Sequence, residues 1–93
     1  MADNINERIL MDITIYSTTT CSFCHALRVW LDKQNIPYLY KTTDEDDVAM
    51  AEFMSLNDGF LGVPFTVIKA KDGKLTKITG FDQPKFKKIL SLS

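Results

Sequence analysis

Cys21-Ser22-Phe23-Cys24 holds the only two cysteines in a chain of 93 residues. Sulfurs at this spacing can close a small disulfide ring and reopen it. They follow a strand-like run, Ile13-Thr14-Ile15-Tyr16, and open a stretch of helical periodicity. A helix N-terminus carries unpaired backbone N–H groups and the positive end of the helix dipole. Both favour a thiolate over a thiol, which lowers the pKa of a cysteine placed there. The chemistry suggested is thiol–disulfide exchange. An inert structural pair is the alternative, and the helix-start position argues against it.

Two other chemistries share these residues. Cys21, Cys24 and His25 form the string used for covalent haem attachment, but no apolar signal core precedes it that would direct export. Two cysteines and one adjacent histidine leave a tetrahedral zinc site incomplete. No metal site is expected.

The length suits a single domain with one hydrophobic core. A formal net charge of −1 provides no basic field for nucleic acid or an anionic membrane. No apolar run reaches the roughly 18 residues of a membrane span. Residues 1–11, with Asp3, Glu7 and Arg8, read as a short extension before a domain over 12–93. Two cysteines are too few for a disulfide scaffold, and a reducing, cytoplasmic setting with a monomeric protein is expected.

The elements that must carry the cysteines follow from periodicity and punctuation. Residues 12–16 form a strand. Phe23, Ala26, Leu27, Trp30 and Leu31 make one face of a helix from Ser22 to about Gln34, ending before Pro37. Tyr38–Lys41 is a short strand. Thr43 is expected to cap a second helix, with Asp44, Glu45, Asp46 and Asp47 in its first turn. Val48, Ala51 and Met54 are its expected apolar row, with Met50 and Phe53 beside it and Gly59 at its end. Val63–Ile68 and Leu75–Ile78 read as strands joined by a Lys71-Asp72-Gly73-Lys74 hairpin turn. Gly80 breaks the second, and Asp82 caps a last helix with Phe86, Ile89 and Leu90 inward. The order is β-α-β-α-β-β-α.

That order, with C-x-x-C after the first strand and a proline opening a later one, resembles the thioredoxin fold, an α/β fold with a four-stranded mixed sheet flanked by helices. The segment Tyr16-Ser17-Thr18-Thr19-Thr20-Cys21-Ser22-Phe23-Cys24-His25 resembles a glutaredoxin active site almost residue by residue. Val63-Pro64 and Gly80-Phe81-Asp82 extend the resemblance over nearly the whole domain. It implies a dithiol oxidoreductase that reduces protein disulfides or mixed disulfides. Cys21 would be the nucleophile, nearer the helix end and more exposed, and Cys24 the shielded resolving cysteine. It further implies a cis peptide at Val63-Pro64 that turns the Val63 backbone toward Cys21, and a substrate- or thiol-binding set of Thr18, Thr20, Phe23, Val63, Pro64, Gly80, Phe81 and Asp82.

The chain departs from the glutathione-binding pattern at two places: Gln83 stands for a second acidic residue, and Thr18 for a lysine before the first cysteine. Gly59-Phe60-Leu61-Gly62-Val63-Pro64 and Thr79-Gly80-Phe81 resemble redoxins that serve ribonucleotide reductase and draw on thioredoxin reductase. Ala51-Glu52-Phe53, with Ser55-Leu56-Asn57 and Val63-Pro64, is similar to mycoredoxins, which use another low-molecular-weight thiol. The expected partners are a disulfide-bearing protein, with ribonucleotide reductase as one candidate, and glutathione or thioredoxin reductase as electron source. No permanently bound cofactor is expected; glutathione or another small thiol would be a cosubstrate. The family alternative is a carrier of a subunit-bridging [2Fe–2S] cluster, which Ser22 after the first cysteine would permit.

Overall fold

Alternating apolar residues and two hairpin-compatible strands build the sheet on which everything else rests. The computed structural model describes residues 11–59 and 61–90. Strands β1 (Asp12–Ser17), β2 (Leu39–Thr42), β3 (Phe65–Lys69) and β4 (Leu75–Thr79) form one sheet in the order β2-β1-β3-β4. β2 runs parallel to β1; β3 is antiparallel to both β1 and β4. Helices α1 (Ser22–Lys33), α2 (Asp47–Leu56) and α3 (Gln83–Ile89) complete the expected order. Of the expected extension over 1–11, only Met11 lies within the described residues, and it packs against the core. No described helix is long and apolar enough to cross a membrane.

The sheet is covered on both faces. Successive strand residues point to opposite sides. Ile13 and Ile15 therefore meet Ile68, Ile78, and the Leu27, Leu31, Phe86 and Leu90 of α1 and the α3 region. Tyr16, Phe65 and Val67 turn the other way and pack on Phe53 of α2. β3 lies between two strands and beneath helices on both sides, which explains why four consecutive residues, Phe65 to Ile68, are buried. The β3–β4 turn needs a left-handed residue, supplied by Gly73 at φ 89°; Asp72 accepts from the Lys74 N–H at 2.9 Å.

Several local expectations are corrected. The inward side of α1 is Cys24, Leu27 and Leu31, so the helix is rotated relative to the apolar stripe read from the sequence. Ala26 is exposed; Phe23, at 68% exposure, lies off that inward side, as its place in the binding set implied by the resemblance requires. Trp30 is only partly buried, edge-on to Phe86. Two leucines at i and i+4 facing the sheet set the phase, and that phase carries Cys24 inward.

In α2 the cap is Asp46, whose carboxylate accepts from the N–H groups of Val48 and Ala49. Thr43 continues past β2 instead, its N–H and hydroxyl both donating to the Ser17 carbonyl at 2.8 and 3.0 Å. Only Asp47 of the acidic run stands in the first turn. Val48, Ala51 and Met54 point outward, while Ala49 and Phe53 are buried. An apolar row with no described element over it stays exposed, because β1 and β3 meet this helix on its Phe53 side. The left-handed residue after the Asn57 C-cap is Asp58 (φ 52°), with Gly59 following. β2 is shifted one residue from the expected span. β3 begins at Phe65, after Val63-Pro64.

Leu31→Ala, which would leave a cavity between α1 and the sheet, is expected to cost about 2–5 kcal/mol in urea unfolding. Val48→Ala, on the outward row of α2, should stay within about 0.5 kcal/mol.

Candidate functional site

Strand directions bring four chain segments to one end of the sheet. β1 ends at Ser17, which pairs with Thr42 at the end of β2. Tyr16 pairs with Phe65 at the start of β3, and Phe65 with Thr79 at the end of β4. The loop to Cys21, the Thr43–Asp46 turn, Val63-Pro64 and Gly80-Phe81-Asp82 must therefore emerge together. Pro64 ties two of them, its carbonyl accepting from the Gly80 N–H at 2.8 Å. The Val63–Pro64 peptide is cis.

Cys21 is the N-cap of α1, with extended backbone angles. Its Sγ takes the place of the usual capping oxygen and accepts from the Cys24 N–H at 3.0 Å. Its carbonyl accepts the first helical bond, from His25. Half-buried Cys21 is joined by a disulfide to Cys24, whose exposure is 0%, with the Cα atoms 5.2 Å apart. One sulfur thus sits at the rim under a helix N-terminus and its partner lies inside. When the bond is open, the same N–H and the helix dipole stabilise negative charge on Cys21.

The remaining candidates fall into two groups. Thr18, whose carbonyl accepts from the Cys21 N–H, and exposed Thr20 lie in the loop before the helix. Phe23, Val63 and Pro64 stand at the same end, with Phe23 projecting into solvent and Pro64 buried. The Gly80–Asp82 group is engaged in structure. Gly80 has φ 76°, Phe81 packs on Trp30 with ring centroids 5.9 Å apart, and Asp82 caps α3 by accepting from the Lys85 N–H at 3.2 Å. Two recesses in the surface, one by Met11–Thr14 and Pro37–Leu39 and one between α1 and Phe81–Gln83, include neither cysteine.

Sequence reasoning missed three residues here. Asp44 leaves the helix start and grips the pre-cysteine loop: its carboxylate accepts from the Thr19 hydroxyl at 2.6 Å and from the Thr19 N–H at 3.1 Å. Leu61, 68% exposed, adds a second apolar side chain to the Val63-Pro64 loop. Glu52 accepts from the Tyr16 hydroxyl and pairs with Lys41 at 2.6 Å, beside the β1 end. Burial, then the Glu52 bond and its charge, push the Tyr16 phenol up to about 12, so it stays protonated. Glu52 itself is lowered by Lys41 and then by Tyr16. Only the Asp44 bond carried a possible signal, a carboxylate too far ahead of the apolar run to be a cap.

The sheet order, strand directions and helix placement define a thioredoxin-like fold, shared with several solved structures. These include the thioredoxin-like protein BC3987 (23% identity; 83% of this chain and 97% of that one; TM-score 0.68). They also include the glutaredoxin-like protein NrdH-redoxin from Escherichia coli (22%; 84% and 93%; 0.66) and a glutaredoxin from Archaeoglobus fulgidus (17%; 84% and 84%; 0.67). No curated protein matches the sequence. The glutaredoxin family model matches residues 13–72, and the chain belongs to the glutaredoxin family. With its cysteine pair at disulfide distance, it is in general terms a thiol–disulfide oxidoreductase.

The Thr19 hydroxyl first, then its N–H, holds the Asp44 carboxyl below its usual 3.8. A lowered folded value means the contribution is present above the unfolded value and is lost as pH falls through the folded one. The stability difference between the protein and Asp44→Asn, followed by thermal unfolding, should therefore exist at neutral pH and vanish on acidification below the ordinary aspartate range.

Proposed function

We propose that this protein reduces disulfides of protein substrates, or mixed disulfides on them, with Cys21 as nucleophile and Cys24 as resolving cysteine. The observation that supports this reading is the asymmetry of the pair: half-buried Cys21, whose sulfur caps a helix, and fully buried Cys24 a turn away. The Cys21 thiolate attacks one sulfur of the substrate disulfide. A Cys21–substrate bond forms, the substrate bond breaks, and the departing sulfur leaves with the electron pair and takes up a proton. Cys24, deprotonated, then attacks Cys21 Sγ. The Cys21–Cys24 disulfide forms and the second substrate sulfur leaves reduced. Two electrons pass from the protein to its substrate.

Recognition of a macromolecule fits the surroundings. Phe23 and Leu61 offer large apolar side chains to solvent at the rim, where an extended chain could reach half-buried Cys21. The Val63 backbone is suited to pair with such a chain as an added strand. The binding set is Thr18, Thr20, Phe23, Val63 and Pro64. Gly80, Phe81 and Asp82 join it as the region for a small thiol. The electron source we favour is thioredoxin reductase, because Thr18 and Gln83 supply neither the lysine nor the second acid of the glutathione pattern. Ribonucleotide reductase is the substrate that the loop sequences suggest. A reducing cytoplasm suits regeneration of the dithiol. No observation favours the [2Fe–2S] carrier alternative.

Cys21→Ser should abolish reduction of insulin and of hydroxyethyl disulfide; undiminished turnover would overturn the assignment. Cys24→Ser should accumulate a mixed disulfide visible by mass spectrometry. Turnover supported by NADPH and thioredoxin reductase should exceed that supported by glutathione and its reductase, and the opposite ranking would reverse the choice of donor.

A further inference from the structure

Cys24 must lose its proton before it can attack, and its surroundings oppose that. The residue is fully buried, and burial among apolar groups raises a thiol's pKa. Its own N–H is directed at Cys21 Sγ, not at its own sulfur. A donor from outside the helix is needed.

The sheet face under α1 offers one. α1 contributes Leu27 and Leu31 to the cluster that contains Ile15, Ile68 and Ile78. Cys24 shares their inward side. In register between Ile15 of β1 and Ile78 of β4 stands Thr66. Strand alternation turns it to the Ile68 side, away from Phe65 and Val67. It is the second residue of β3, two after Pro64, and so lies at the reactive end of the sheet. Its exposure is 0%, and among the described residues its Oγ1 is the buried side-chain polar atom without a hydrogen-bond partner. Such orphans are uncommon and destabilising; valine would fill the space without one.

Of the buried hydroxyls on this side, that of Ser17, two residues after Ile15, is spent on the Lys41 carbonyl at 3.1 Å, which leaves Thr66 as the candidate donor. Ile15, Ile78, Leu27 and Phe86 carry no titratable group. Tyr38 and Tyr40, partly buried against the cluster, come from the β2 side, Tyr38 bonded to Asp32 and Tyr40 beneath Arg28. His25 is exposed, and Tyr16 lies on the opposite face, bonded to Glu52.

We propose that the Thr66 hydroxyl donates a hydrogen bond to the Cys24 sulfur once the disulfide opens, and so promotes the resolving attack. The inference rests on the dithiol mechanism above. In that step the Cys24–Cys21 bond forms, the Cys21–substrate bond breaks, and the electron pair leaves with the substrate sulfur, which is protonated by solvent. Thr66 changes neither its protonation nor its oxidation state. Oxidation removes the thiolate that it serves, consistent with an unpartnered hydroxyl in the disulfide form.

The test is stopped-flow reaction of the reduced full chain with a chromogenic aryl disulfide. The first coloured thiolate, released by Cys21, appears at a rate proportional to reagent; the second, released by Cys24, does not depend on it. Thr66→Val should leave the first phase unchanged. It should move the pH midpoint of the second up by about one unit, the effect of losing a hydrogen bond to a charged group, and slow it about three- to fourfold at about pH 7, because the more basic thiolate is also the better nucleophile. Thr66→Ser should restore both, and oxidised Thr66→Val should be at least as resistant to urea as the parent. Thr66→Ala carries the same kinetic expectation if valine disturbs packing. A second phase in Thr66→Val or Thr66→Ala that superimposes on the parent's across pH would overturn the role of Thr66. Absence of the second phase from the parent itself would overturn the dithiol mechanism instead.

Discussion

A backbone N–H pointed at a sulfur is the contact on which the site depends. Cys21 occupies a position usually held by serine, threonine, aspartate or asparagine, side chains whose oxygen accepts from the first turn of a helix. Here the acceptor is the sulfur we propose as the nucleophile, 3.0 Å from the Cys24 nitrogen. One interaction therefore starts the helix, orients Cys21 at the rim, and prepares the sulfur to carry charge. The same helical turn separates the two cysteines by 5.2 Å between Cα atoms and sends the second one inward. The division of labour proposed for the sulfurs follows from where they sit on that turn.

A helix start is useful only if it is held in place, and polar contacts at the end of β1 and β2 do this. Thr43 donates twice to the Ser17 carbonyl, and the Ser17 hydroxyl donates to the Lys41 carbonyl. These groups are buried or nearly so, where an unpaired polar atom is costly, so the pairing of β1 with β2 continues beyond the last regular rung. Asp44 then fixes Thr19 two residues before the cap. On the other flank, Gly80 and Pro64 join the loops after β4 and before β3. Tyr16, Phe53 and Phe65 pack beneath this end from the α2 side, with ring centroids 5.5 to 6.4 Å apart.

The two faces of the sheet serve different ends. The α2 side is aromatic and carries its polar atoms to the edge, where the Tyr16 hydroxyl reaches Glu52 and Lys41. The α1 and α3 side joins aliphatic residues to Phe86, Trp30 and Phe81, and carries the unpaired Thr66 hydroxyl. On the role proposed for Thr66, a hydroxyl in that position weakens the packed core in exchange for chemistry at the buried sulfur, the compromise expected of a functional residue in a core.

What the sequence determined alone was the chemistry and the order of elements. C-x-x-C at a strand-to-helix junction, Gly73 in a turn and Asp82 ahead of Phe86 are local signals, and each led to the element observed; Pro64 was read into a strand that begins one residue after it. Local signals could not settle which side of an amphipathic stretch faces inward. Phe23 looked as apolar as Leu27, and Val48 as apolar as Phe53, but only the position of the sheet decides which is covered. They also could not tell a cap from a loop anchor among Thr43, Asp44 and Asp46, because each can accept or donate and the partner that decides its role can lie many residues away. The gathering of Cys21, Val63-Pro64 and Gly80–Asp82 at one end, and the placement of Thr66 under the helix of the cysteines, came from strand direction and register. Those are set by long-range pairing, which no window of neighbouring residues contains.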